Sequence, residues 1–181
     1  KVYGDHCLLT SNRAIMADVN RLFNYIEHYK TGTHFLKACT TLIPSPIFAR
    51  REVLKMISNE IKNAKKGKGG SVIAKMNSLS DEEIIEALSD AAKEGVDVKL
   101  IVRGIFCMLS ENEKFKKPVT AVSIVDEYLE HARVWIFDNG GKEKVFISSA
   151  DWMVRNLDHR VEATCPVLDE RLKQELKDII N

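Results

Sequence analysis

A chain of 181 residues with 27 lysines and arginines against 26 aspartates and glutamates carries a formal charge of +1. That balance excludes recognition of nucleic acid or membrane through bulk electrostatics and leaves any anion binding to local clusters. A composition of 45% hydrophobic and 29% charged residues excludes disordered and fibrous classes, and the length suffices for a core without disulfide staples.

No apolar run is long enough to read as a transmembrane segment or a signal peptide. Four widely spaced cysteines (Cys7, Cys39, Cys107, Cys165), with no Cys-x-x-Cys, point to free thiols in a reducing cytoplasm. The opening Lys1-Val2-Tyr3, with neither methionine nor capping signal, reads as a point inside a longer protein.

In chain order, Asn12 caps a helix in which Ile15, Val19, Leu22, Phe23 and Ile26 recur at helical spacing. Ile43-Pro44-Ser45-Pro46 then breaks regular structure and marks a boundary, so residues 1–42 are read apart from 43–181. A second helix over 49–66 has the apolar stripe Val53, Leu54, Ile57 and Ile61. It ends in Lys65-Lys66-Gly67-Lys68-Gly69-Gly70, lysines over the negative helix end and a glycine stop. Residues 71–76 are a short strand. Ser80 and Glu83 form a capping box for a helix carrying Ile84, Ile85, Leu88 and Ala92, stopped by Gly95, and 96–102 is a β-branched strand. Strand, helix and strand within about thirty residues predict a parallel, adjacent pair. After the polar loop 110–118 come a short strand at 121–125 and a helical turn into His131. Strands 133–137 and 144–147 flank the hairpin signal Asp138-Asn139-Gly140-Gly141, 160–167 is another strand, and an amphipathic helix over 169–180 closes the chain. The predicted class is α/β, a mixed sheet flanked by helices.

Two residues apart in an extended segment, His131 and Arg133 point to the same side of a strand. An imidazole beside a guanidinium that forks onto phosphate oxygens suits phosphoryl or phosphodiester chemistry. Asp138 follows five residues after the arginine, and Ser148-Ser149-Ala150-Asp151-Trp152 makes a small-residue turn further on. Ligands of open α/β sheets gather beyond the carboxyl ends of parallel strands. Lys75 and Arg103 stand at two such ends, and Gly104 would let an anion approach the backbone closely. Together these groups outline a phosphate site.

Other features take plainer readings. Lysines 62–68 are a solvated helix end that a long polyanion could use, and Gly67-Lys68-Gly69-Gly70 is not a phosphate loop. His6, His28, His34 and His159 have no metal spacing, and Trp135 and Trp152 belong to the core or a site wall. Arg155, Asp158 and Arg160 fit an internal ion pair as readily as a ligand.

The long segments around the histidine carry a family resemblance. Residues 123–133, Asn139-Gly140-Gly141, Ser148-Ser149-Ala150-Asp151-Trp152-Met153 and 155–162 resemble the C-terminal domain of the long, ATP-driven polyphosphate kinases. Lys75-Met76-Asn77-Ser78-Leu79 and Leu100-Ile101-Val102-Arg103-Gly104 fit the same family, and Tyr3-Gly4-Asp5 with Leu8-Leu9-Thr10 resembles the end of the domain before it. The resemblance covers nearly the whole chain. It implies a phospholipase-D-like fold in which two similar domains each lend a histidine to a shared cleft. Residues 1–42 would be the end of the first domain and 43–181 the second. The histidine phosphorylated by ATP lies in a His-x-Lys motif that would precede residue 1, and His131 matches the second histidine. Tyr3, Arg103 and His131 fall on ATP-contacting positions, and Lys75 and Arg160 on basic phosphate-binding ones. Mg²⁺ is expected for the full-length enzyme with its partners upstream, so no metal residue is assigned. ATP, ADP and inorganic polyphosphate are the implied partners, in a homo-oligomer that is cytoplasmic or peripheral to a membrane.

Some positions depart from the wider pattern. Against phospholipase D generally, Arg133 replaces a lysine, Ser148 a glycine and Asp151 an asparagine. Tyr3-Gly4-Asp5-His6-Cys7 differs from the kinases' Tyr-Thr-Asp followed by an aromatic and serine. Two alternatives stay open: a phospholipase-D-type phosphodiesterase half-site completed by a second copy, and a non-catalytic polyanion-binding module.

Overall fold

Strands with consecutive apolar residues, such as Val72 to Ala74 and Val134 to Phe137, need cover on both faces, and the chain supplies it with helices. The computed structural model describes residues 2–180. Their order is β1 (Tyr3–Gly4), α1 (Arg13–Glu27), α2 (Thr33–Lys37), β2 (Ile43–Ser45), α3 (Ala49–Lys65), β3 (Ser71–Met76), α4 (Glu82–Lys93), β4 (Asp97–Val102), β5 (Thr120–Val122), β6 (Leu129–Glu130), β7 (Arg133–Phe137), β8 (Lys144–Ser148), a π-helical turn (Arg155–His159), β9 (Glu162–Pro166) and α5 (Glu170–Ile180).

Seven strands form one mixed sheet in the order β2-β9-β8-β7-β3-β4-β5. The expected βαβ unit is present: β3 and β4 are parallel neighbours, Ser71 opposite Asp97 and Met76 opposite Val102. β5 extends the parallel half, and β7, β8, β9 and β2 form the antiparallel half. On one face Val72, Ala74, Leu100, Trp135 and Phe137 pack with Val53 and Ile57 of α3 and Ile84 and Leu88 of α4. On the other, Val134, Ile136, Val145 and Val167 are covered by Leu172, Leu176 and Ile180 of α5. Trp135 and Trp152 are fully buried, the core alternative of their two readings.

Several local expectations need correction. The residue that caps α4 is Asp81, whose Oδ1 accepts the Ile84 N–H at 3.1 Å. The Ser80 N–H is instead spent on the Trp152 carbonyl, and Glu83 lies 3.5 Å from Arg50. Residues 123–128 form no helical turn; 123–125 take no regular structure and 126–128 bend into β6, whose partner is β1. Ile43–Ser45 is an edge strand rather than a break, since an edge tolerates Pro44. β9 starts at Glu162 because the π-helical turn occupies 155–159. Asp158 in that turn pairs with neither Arg155 nor Arg160. Its carboxylate receives Arg50 of α3 at 2.6 Å, and the same guanidinium reaches Asp81 at 2.7 Å.

A buried carboxylate fastens α1 to the segment that leads into β2. Asn12 caps α1 as expected, accepting from Ala14 and Ile15. Asp18, fully buried, accepts the backbone N–H groups of Thr40, Thr41 and Leu42 at 3.0, 2.7 and 2.9 Å, just before β2. Burial alone would raise this carboxyl, but those three N–H bonds and Arg21 hold it below its ordinary value. The opposite stripe of α1, Met16, Val19, Phe23 and Ile26, is 38–61% exposed.

Candidate functional site

One end of the central strands collects the chemistry. β3 and β4 end there and lead into Asn77 and Arg103, while antiparallel β7 begins there at Arg133, opposite Ser148 at the end of β8. Ser148 in turn faces Thr164 of β9. His131 immediately precedes β7. A second, two-stranded ladder brings the chain's first residues to it: Leu129 N–H bonds Val2 O and His131 N–H bonds Gly4 O, both at 2.8 Å.

That ladder sets three groups around the His131 ring. Asp5 Oδ2 lies 2.8 Å from Nδ1. The Tyr3 ring meets the imidazole edge-on, 5.4 Å between centroids. Arg133 Nη2 stands 3.5 Å from Nε2. Burial pushes the Asp5 carboxyl up, but the His131 hydrogen bond, the His6 N–H and the charges of His131 and Arg133 more than offset it and hold Asp5 below its ordinary value.

The cations are held differently from one another. Arg133 forks onto a carboxylate, Nε to Asp151 Oδ1 at 3.0 Å and Nη2 to Oδ2 at 3.4 Å, with its side chain only 10% exposed. The phosphate-gripping geometry read from the sequence is thus already occupied by Asp151. Asp151 Oδ1 also takes the Asn77 N–H at 2.8 Å, and Asn77 Oδ1 accepts Arg103 Nε and Nη2 at 3.1 and 2.8 Å. One hydrogen-bonded chain therefore runs from Arg103 through Asn77, Asp151, Arg133 and His131 to Asp5. Lys75 is buried, with Nζ 3.2 Å from both Glu130 Oε2 and the Ala132 carbonyl. Arg160 is exposed, and its guanidinium makes no hydrogen bond or ion pair among the described residues.

A cleft of about 470 Å³ is lined by Asp5, His6, His131, Arg133, Ser148, Ser149, Arg160 and Glu162, among others. The structure thus brings His131 and Arg160 to one cavity and sets Tyr3 against the His131 ring. Lys75 and Arg103 stand at neighbouring strand ends, and neither they nor Tyr3 line the cleft. Asp138 is not part of the site. Five residues of strand span roughly 17 Å, which puts it at the far end of β7, where its Oδ2 accepts Gly140 and Gly141 N–H. Gly104 is close-packed for a reason other than an anion: a Cβ there would meet the Asn77 carbonyl oxygen at 2.9 Å.

Asp5, Asn77 and Glu130 were not singled out in the sequence. Asp5 lies 126 residues from its partner, and no local pattern signals such a contact. The alternation Tyr3-x-Asp5, placing both on one side of a short strand, is the available hint. The carboxylates nearest the cleft have partners: Asp5 has His131, Asp151 has Arg133 and Asn77, and Glu162 has Ser149 and Asn156. Among the described residues no group of three His, Cys, Asp or Glu is arranged to hold a metal ion.

A family model described as polyphosphate kinase C-terminal domain 2 matches residues 42–181. The polyphosphate kinase of Escherichia coli K12 is 42% identical over 181 residues, all of this chain and 26% of the relative. That of Klebsiella pneumoniae is 42% identical over 179 residues, 99% of this chain and 26% of the relative. The crystal structure of polyphosphate kinase from Porphyromonas gingivalis superposes with a TM-score of 0.86 at 41% identity, over 94% of this chain and 26% of that one. A phospholipase D family member, Nuc from Salmonella typhimurium, matches with a TM-score of 0.55 at 20% identity, over 76% of this chain and 88% of its own, a likeness of fold alone. The chain spans about a quarter of the length of the kinases it matches.

Proposed function

Because this chain belongs to the polyphosphate kinase family, as its C-terminal domain, we propose that it supplies the second histidine and phosphate-binding cations of an ATP:polyphosphate phosphotransferase. One observation carries the reading: His131 and the exposed cation Arg160 line a single cleft, in a chain 42% identical throughout to such kinases. In the whole protein an upstream histidine takes the γ-phosphoryl of ATP and releases ADP. The terminal phosphate of polyphosphate then attacks the phosphohistidine, lengthening the polymer by one unit, and the reverse sequence makes ATP.

Such a transfer asks little covalent chemistry of the protein and much positioning and charge neutralisation. Arg160 grips polyphosphate or nucleotide phosphates at the cleft wall. Asn77 occupies two of the five guanidinium donors of Arg103, and the rest serve nucleotide phosphates. Lys75, pinned by Glu130, contributes a fixed rather than a swinging charge at the neighbouring strand end. Tyr3 offers its hydroxyl to the nucleotide. His131 gives or takes a proton, or donates a hydrogen bond, at the transferring phosphoryl. Mg²⁺ belongs on this reading to the nucleotide in the complete enzyme, a homo-oligomer of the cytoplasm, and the roles of these side chains do not run through the metal.

The full-length protein should elongate polyphosphate from ATP, and the 181-residue chain alone should not. In the full-length protein His131→Ala should lower kcat by about 10²–10⁴-fold, with melting nearly unchanged because the side chain is 34% exposed. Normal turnover would reduce His131 to a structural role. Synthesis by the isolated chain would overturn the need for an upstream nucleophile.

A further inference from the structure

We propose that the ion pair between Arg50 and Asp158 positions Arg160, fixing the turn that carries this cation to the cleft wall. The inference rests on the reading of Arg160 as a phosphate-gripping side chain. Arg160 is exposed and makes no side-chain bond among the described residues, so its place is set by the backbone on either side of it. That backbone is the π-helical turn, closed by the Arg160 N–H on the Arg155 carbonyl at 3.0 Å. Turns of this kind occur mostly inside longer α-helices. This one stands between two strands, β8 and β9, and must be held from outside.

Arg50 of α3 does the holding. Its Nη1 and Nη2 fork onto Asp158 Oδ1 and Oδ2 at 2.6 and 2.7 Å, while its Nε and Nη2 donate to Asp81 Oδ2 at 3.0 and 2.7 Å. Asp81 is buried and caps α4, and the N–H groups of Ser80 and Asp81 bond the Trp152 carbonyl at 2.9 and 3.0 Å. The turn is thereby fastened to a packed junction of the fold. On the other side of Arg160, Glu162 Oε1 accepts Asn156 Nδ2–H at 2.9 Å and Oε2 accepts the Ser149 hydroxyl. Arg160 is a mobile side chain on a backbone clamped two residues before it and two residues after. The Asp158 carboxylate is 34% exposed, so the pair adds little to stability. Its effect is geometric: it decides from where the Arg160 guanidinium reaches into the cleft.

The test is made on the full-length protein. Asp158→Ala leaves Arg50 paired with Asp81, so melting should move little. KM for polyphosphate should rise about three- to tenfold, with kcat changed less than about twofold. Asp158→Asn, which keeps one acceptor oxygen for the fork, should fall between Asp158→Ala and the wild type. It carries the same comparisons should Asp158→Ala melt early. In an Arg160→Ala background, Asp158→Ala should add nothing to KM, because the side chain it acts through is gone. Hydrogen exchange on peptides covering 155–162 should quicken by about tenfold or more in Asp158→Ala, with those covering 133–137 unchanged. Unchanged exchange over 155–162, or an equal rise in KM in both backgrounds, would overturn the proposal. Arg160→Ala with a wild-type KM would instead remove the phosphate-gripping reading of Arg160, while the exchange rates still decide whether Asp158 holds the turn.

Discussion

At the scale of single residues, the site turns on which charges are already spent. Arg133 and Arg160 look alike in the sequence, yet the first is forked onto Asp151 and nearly buried while the second is exposed without a protein partner among the described residues. Arg160→Ala in the full-length protein should therefore raise KM for polyphosphate by about tenfold, a lost charge-assisted contact of roughly 1.4 kcal/mol, and leave the melting temperature where it was. Arg133→Ala, in contrast, leaves Asp151 buried and short of a cation, and should cost about 3–5 kcal/mol in denaturant unfolding. A partner such as Asp151, eighteen residues away, is invisible to spacing rules, and so the sequence showed the right guanidinium with the wrong task.

Asp18 makes a residue-scale prediction about pH. Asp18→Ala orphans three backbone N–H groups and should cost roughly 3 kcal/mol. Its folded carboxyl sits below the ordinary 3.8, so its contribution is fully present above that value and is lost as pH falls through the folded pKa. Asp18→Asn keeps an acceptor and removes the titration, so the two proteins' stability curves should converge on acidification. Glu60 works with the opposite sign. Burial, against hydrogen bonds from Asn139 and Ser71, raises its carboxyl, and what it contributes in the protonated state is lost as pH rises through the folded pKa.

At the scale of elements, periodicity made most of the architecture legible. The βαβ unit, the hairpin around Asn139 and Gly140, and the amphipathic α3, α4 and α5 all follow from apolar spacing and glycine stops. The elements that escaped are those whose bonds close over long distances. β6 has two residues and exists because β1 pairs with it, and the π-helical turn takes its place beside β2 and β9, with Asp158 on Arg50. Gly104 shows the same limit, correctly marked as a point of close approach but with the wrong visitor. Gly104→Ala should push the Asn77 carbonyl away and loosen Arg103 with it. The expected result is a loss of about 1–3 kcal/mol and weaker nucleotide binding in the same variant, read by denaturation and calorimetry.

At the scale of the whole molecule, the candidate site is a seam between the beginning of the chain and its last third. Arg133 belongs to a sheet whose two faces are covered by packed helices, with His131 and Arg160 just ahead of its strands β7 and β9, whereas Tyr3 and Asp5 come from a segment joined to that region by a two-residue ladder. The cleft and its histidine could be read from sequence because they sit at strand ends. The seam could not, since nothing local connects residue 5 to residue 131.

That ladder divides the protein into parts that open on different clocks. Backbone amides are released from protection by the cheapest opening that frees them, and an isolated two-residue ladder opens far more often than a central strand. Deuterium should therefore enter at Leu129 and His131 orders of magnitude sooner than at Val134 or Ile136, at a rate insensitive to mild denaturant. The imidazole's surroundings can then come apart and reassemble many times within the lifetime of a single folded sheet.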